Sequence, residues 1–427
     1  MNKVLDIKYE KHKLSNGLEV ILYKDNSLPI VSVNLWYRVG SSNEEKGKTG
    51  LAHLFEHMMF QGSENVPKEM HFKYIQEAGG TLNGSTSFDR TNYYETLPSN
   101  ALELALWLES DRMGFLLPTL DNEKLENQRE VVMNERLQRY DNQPYGRAWE
   151  ILFSSLFPEN HPYHWPTIGW MEDIKNYTLD DVKAFFQKFY APDNASIVIA
   201  GDIEYESALE LTKKYFGEIK SEKINRSISV PEFELTSVKQ IIYEDNVQFP
   251  RIYMMWKSDK LYAPDDAKLD FLSSTLSGTK NSRLYKRLVF EQQIALDVFA
   301  FQYSSQKDGE FIISATARPG VTLDSLKEII LDEIEKITHE GVLPLEIERA
   351  KNSLISDYIF SLQNLSSLAD HLNNYNMVLG KPNSFIWDLN RYDSVSVDDV
   401  KSVATKYLTK PYVELRIVPK KNEEKNA

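Results

Sequence analysis

Residues 179–199, LDDVKAFFQKFYAPDNASIVI, align without a gap with residues 397–417, VDDVKSVATKYLTKPYVELRI, at an offset of 218 (397 − 179). Asp180, Asp181, Val182, Lys183 and Lys188 recur as Asp398, Asp399, Val400, Lys401 and Lys406, and Phe189 becomes Tyr407. Each copy reads as an N-capped amphipathic helix running into a strand with apolar residues at alternate positions. An offset near half of the chain points to duplication of one α+β unit of roughly 210 residues, an ordinary domain size. The charged, non-periodic stretch SEKINRSISVPEFELTS (221–237) reads as a linker, which places one domain at 1–220 and its homologue at 238–427.

Working outward, LEVILYKD and PIVSVNLWYRVG have strand character, residues 50–61 and 121–140 are helical, and GGTLNGSTSFDRTNYYETLP (79–98) reads as a hairpin. Strands and helices mix without regular βαβ alternation, so the expected fold is α+β, with a mostly antiparallel sheet packed with helices in each of two homologous domains.

Composition excludes several functions. The chain has 427 residues, 42% of them hydrophobic, enough for two sizeable cores. No run approaches the roughly 20 apolar residues of a membrane span, and the N-terminus has no signal-peptide core, so no membrane span is expected. A cytoplasmic location follows unless a signal segment has been removed, in which case the periplasm or the exterior applies. Without cysteine, any transition metal must be held by His and carboxylate. A net charge of −14 argues against a nucleic-acid partner.

The candidate chemistry lies in GLAHLFEHMMFQG (50–62). On a helix, Leu51, Leu54, Phe55 and Met58 form one apolar stripe, and His53, Glu56 and His57 gather on the other side. Gly62 is placed to end that helix. Two imidazoles one turn apart with a carboxylate beside them suit a zinc hydrolase, while the plain alternative is a solvated polar face. In EKLENQREVVMNERLQRYD (123–141), Leu125, Val131 and Val132 define an apolar face. Glu135 falls on it four positions beyond Val131, and Glu126 and Glu130 point elsewhere. A carboxylate turned toward a core needs a partner or a metal, which makes Glu135 the candidate third ligand; pairing with Arg136 or Arg139 is the alternative. His161 and His164, in NHPYHWP, read as part of a packed loop. Tyr93 and Tyr94 suit either substrate contact or strand packing.

HLFEH, the glutamate 78 positions on (135 − 57), the 79–98 segment and the duplicated layout together resemble the inverzincin metallopeptidases, the family of pitrilysin, insulin-degrading enzyme and the mitochondrial processing peptidase. The likeness is closest to short bacterial members with one pair of repeated domains forming half of a clamshell. It implies one zinc per chain held by His53, His57 and Glu135, with Glu56 as general base for hydrolysis of unfolded or short peptides. Leu82, Asn83, Gly84, Ser85 and Thr86, in a glycine-containing edge strand, would pair with an extended substrate. Gln128 stands where some relatives carry a supporting glutamate.

The second half departs from the pattern. Aligning Gly278 with Gly62 sets Leu269, Leu272 and Ser273 opposite His53, Glu56 and His57, and Asp357 roughly opposite Glu135, so one metal centre is expected. Many relatives carry an arginine and a tyrosine in the later domain that hold substrate; LVFEQQIALDV (288–298) has Gln292 and Leu296 there. The resemblance therefore implies a catalytic subunit paired with a homologous subunit that supplies this clamp and lacks the zinc motif. The competing expectation is a weakly catalytic or structural assembly subunit.

Overall fold

The computed structural model describes Leu5 and residues 7–420. The first half contributes β1 (Glu10–Lys13), β2 (Glu19–Lys24), β3 (Ile30–Tyr37), β4 (Thr81–Thr86), β5 (Thr91–Pro98) and β6 (Ala195–Gly201). The second contributes β7 (Lys239–Asp245), β8 (Arg251–Ser258), β9 (Ala295–Ser304), β10 (Gly309–Ala317) and β11 (Val413–Pro419). The repeated stretch supplies the same part of each. Thr178 caps the helix Leu179–Phe189 in a capping box with Asp181, and Ser396 caps Val397–Val403 in one with Asp399. The strands that follow, β6 and β11, then lie inside their sheets.

Strand order is β1-β2-β6-β3-β5-β4 in one sheet and β7-β11-β8-β10-β9 in the other. β6 pairs parallel with β2 and antiparallel with β3; β11 pairs parallel with β7 and antiparallel with β8. Setting β1 aside, the two orders coincide, which is duplication written in topology. All other pairings are antiparallel, as expected for this α+β class.

The packing units cross the sequence boundaries. One comprises the described residues of Met1–Arg136 with Trp165–Ser229 and Tyr358–Asp388; the other comprises Leu137–His164, Val230–Asp357 and the described residues of Leu389–Ala427. The changeover at 229/230 lies inside the stretch read as a linker, but the hairpin-like exchange of 137–164 and 358–388 was not expected. Its physical basis in the first unit is a polar sheet face. Asn34 and Ser196 are buried there, and buried polar groups need partners. The helix Leu365–Leu379 brings them: Asn373 Nδ2 donates to Asn34 O (2.8 Å) and Ser196 O (3.1 Å). Asp370 Oδ1 accepts from Asn34, Trp36 and Asn92.

The opposite face carries α1 (Leu51–Met58), α2 (Met70–Glu77) and α3 (Leu102–Phe115), and α4 (Asn122–Arg136) packs on α1. In the second unit, Trp256, Phe271, Phe311 and Ile330 are among the buried residues of a continuous core. No helix among the described residues is long and apolar enough to cross a membrane.

Candidate metal centre

Helix α1 buries the apolar stripe read from the sequence, Leu51, Leu54, Phe55 and Met58, together with Ala52. Phe55 stacks against Phe185 at 5.8 Å between ring centroids. Its start is fixed by two features. Gly50 adopts φ 94°, and a Cβ there would come within 2.5 Å of Ile168 O, so only glycine fits. The buried Glu44 carboxylate accepts from Gly50 N and Ala52 N, each at 2.8 Å, satisfying helix-end donors. Burial pushes the Glu44 carboxyl up and these two backbone donors oppose the shift. Glu44 was missed in the sequence because no spacing rule links a residue six positions upstream to a helix start. The helix end also differs from expectation: α1 stops at Met58, and Gly62, at φ 84°, serves the next turn instead, packed against Lys68 N and Val66 O.

Partly exposed, His53 and His57 project from α1 toward Glu135 on α4. Glu135 Oε2 lies 3.7 Å from His53 Nε2 and 3.2 Å from His57 Nε2, and the imidazole rings are 4.9 Å apart. Ligand atoms about 2.0–2.1 Å from one tetrahedral zinc stand about 3.3 Å from each other, so these three residues fit such an ion. Glu135 reaches the site by a route different from the one its spacing suggested. Val131 is 40% exposed; the buried face of α4 is Leu125, Gln128, Val132 and Arg136, and Glu135 borders it. Gln128 is buried and donates to Asn127 Oδ1 at 2.8 Å.

Glu56 points at β4, the open edge of the sheet. Its Oε2 accepts from Thr86 Oγ1 at 2.7 Å, and a Cβ on Gly84 would lie 3.2 Å from its Cγ. Burial pushes the Glu56 carboxyl up, with the Thr86 bond and the His57 imidazole pulling it back. Of the strand residues singled out in sequence, Gly84 and Thr86 thus face this glutamate. Ser85 lies on the other side, donating to Asn92 Oδ1 and accepting from Arg90. Asn83 Oδ1 accepts from Gly84 N, and Leu82 pairs with Glu95. Tyr93 is a packing residue, fully buried with its hydroxyl on Phe55 O at 3.0 Å.

In the second unit, the helix Asp266–Ser277 buries Leu269 and Leu272 where α1 carries His53 and Glu56. No metal-type cluster occurs among the described residues of this unit. Gln292 and Leu296 are exposed. Nearby arginines are engaged: Arg283 binds both oxygens of Glu346 at 2.7 Å, and Arg287 binds Asp332 and Glu333. His161 is fully buried, stacked on Phe157 at 4.3 Å, and His164 Nδ1 contacts Phe157 O, a packed loop.

Both halves of the chain match families of known proteins. Residues 19–162 match the family described as insulinase (peptidase family M16), and residues 176–354 match the one described as peptidase M16 inactive domain. The zinc protease PqqE of Helicobacter pylori is 32% identical over 371 residues, 85% of this chain and 82% of its own length. The mitochondrial-processing peptidase subunit beta of Lentinula edodes is 26% identical, over 92% of this chain and 86% of its own. A crystal structure of a Helicobacter pylori protease superposes with a TM-score of 0.91 at 29% identity, covering 97% of this chain and all of that one. The chain belongs to the peptidase M16 family, whose members among these relatives are named zinc proteases and processing peptidases.

Proposed function

We propose that this protein is a zinc-dependent endopeptidase of unfolded or short peptides, with His53, His57 and Glu135 holding one zinc and Glu56 acting as general base. The observation that carries the reading is the meeting of two imidazoles and a carboxylate within bonding range of one ion, beside a second carboxylate held at the open sheet edge. A zinc held by His53, His57 and Glu135 would polarise a peptide carbonyl and lower the pKa of a bound water. Glu56, oriented by Thr86, takes the proton of the attacking water and delivers it to the leaving amine. The unpaired edge of β4, residues Leu82 to Thr86, offers main-chain hydrogen bonds to an extended peptide, which gives affinity with little sequence demand.

Full turnover requires a homologous partner subunit that holds the substrate backbone. Gln292 and Leu296 supply no cationic or phenolic group, and of the nearby candidates for a homodimer or monomer, Arg283 and Arg287 are held in salt bridges and Tyr285 packs against the core. Misplaced substrate alone can cost about a hundredfold in rate.

Metal content and peptide cleavage, measured with and without the partner homologue, test the reading. His57→Ala and Glu135→Gln should lose zinc from this centre, whereas Glu56→Gln should keep it and lose turnover. Near wild-type cleavage by Glu56→Gln would exclude it as the base. Full activity of the isolated chain, unchanged by the partner, would remove the heterodimer.

A further inference from the structure

Behind β5, on the α1 side of the sheet, three side chains from three elements converge out of reach of solvent: His71 of α2, Glu95 of β5 and Glu109 of α3. They are 3%, 1% and 0% exposed. His71 Nε2 lies 3.7 Å from Glu95 Oε2 and 3.9 Å from Glu109 Oε1, and one ligand atom from each residue falls within 4.8 Å of the others. Those His71 separations exceed hydrogen-bond length. His71 Nε2 and both Glu95 oxygens receive no hydrogen bond from a donor group, and the one partner within reach of the Glu95 carboxyl is the Glu109 carboxyl. Arg112 does not supply one: its Nε and Nη2 donate to the two oxygens of Glu109, and its guanidinium lies over the Tyr93 ring at 4.0 Å. The charge of Glu109 is thereby matched and that of Glu95 is not. Buried polar atoms of this kind are costly unless paired or bound to a metal.

The geometry points to a second metal site, in which His71, Glu95 and Glu109 hold a divalent transition-metal ion of the zinc type apart from the His53, His57 and Glu135 centre. Three atoms at these separations share a midpoint about 2.0–2.4 Å from each, against zinc–nitrogen and zinc–oxygen bonds of about 2.0–2.2 Å, so a shift of a few tenths of an ångström closes the site on an ion. One imidazole and two carboxylates are a donor set that zinc accepts. Burial pushes the His71 imidazole well down. Burial and the neighbouring Glu109 push the Glu95 carboxyl up. Arg112 fixes the orientation of Glu109 from behind, as outer partners of metal ligands do. The ion is structural: it ties α2, β5 and α3 at one point, next to Tyr93, whose hydroxyl holds α1 through Phe55 O.

The site is tested by counting zinc in full-length protein produced with zinc and freed of loosely bound metal. Wild type should carry two ions per chain. The His53→Ala/His57→Ala variant, which leaves the buried cluster untouched, should keep one, and adding Glu95→Gln should reduce that to none. If the triple variant does not fold, release from the double variant to a chelator decides: an ion enclosed by the fold should leave at least tenfold more slowly than the more exposed ion of wild type. A wild-type ion that the double variant loses, or equally fast release, would overturn the proposal and make the cluster a proton-sharing carboxyl pair. A wild-type chain holding only the buried ion would instead overturn the peptidase centre, so the two readings fail separately.

Discussion

Replacing Glu44 by alanine should loosen the helix that carries His53 and His57. Glu44 is 6% exposed and its two oxygens each accept a backbone N–H of the α1 start at 2.8 Å. Alanine leaves both donors buried without a partner. An unsatisfied buried group costs about 1–3 kcal/mol, so two of them cost about 2–6 kcal/mol, toward the lower end if water enters the space. Glutamine keeps one acceptor and should cost about half as much. The response is local first, so hydrogen exchange is the assay of choice: about 2.8 kcal/mol lowers protection of the α1 amides about a hundredfold, at 1.4 kcal/mol per factor of ten. The urea midpoint should fall with it, and zinc affinity of the first centre should weaken because a frayed helix holds its imidazoles less well. If α1 amides in Glu44→Ala keep wild-type protection and the midpoint does not move, the carboxylate does not anchor this helix and the reasoning is wrong.

Thr86→Val removes the hydroxyl that donates to Glu56 Oε2 and little else; a hydrogen bond to a charged group contributes about 1.5–3 kcal/mol, so kcat/KM of the active assembly should drop about tenfold or more with zinc content unchanged. Retention of wild-type kcat/KM within a factor of two would show that Glu56 needs no such support. The Lys48 ammonium, 2.6 Å from Asp181, and the Thr178 capping box hold the Asp181 carboxyl at about 2, below its ordinary 3.8. A depressed carboxyl stabilises the fold above its unfolded pKa and loses that contribution as pH falls through the folded one. The stability gap between wild type and Lys48→Ala should therefore be constant above about pH 4 and close near pH 2; a gap that persists at pH 2 in acid unfolding curves would assign Lys48 a different role.

What was legible in the sequence follows from distance along the chain. The α1 stripe and the cluster of His53, Glu56 and His57 are set by a 3.6-residue period, so eight letters define them. The paired capping boxes at Thr178 and Ser396 and the strands after them are likewise local, and their repetition exposed the duplicated topology before any coordinates. Glu135 stands beside the two imidazoles but not for the reason its spacing suggested, because Val131 and Val132 are both apolar and the letters do not say which of the two the helix buries. What stayed hidden is tertiary. Asn34 reads as an outward-facing strand residue until the helix Leu365–Leu379 arrives from more than 300 positions away to cover it. His71, Glu95 and Glu109 obey no common period, since one comes from each of two helices and one from a strand, and their meeting depends on how α2 and α3 pack behind β5. The same packing sets the electrostatics there: Arg112 of α3 matches the charge of Glu109, while His71 Nε2 and the Glu95 oxygens receive no donor, a cost that no pattern of neighbouring letters reveals.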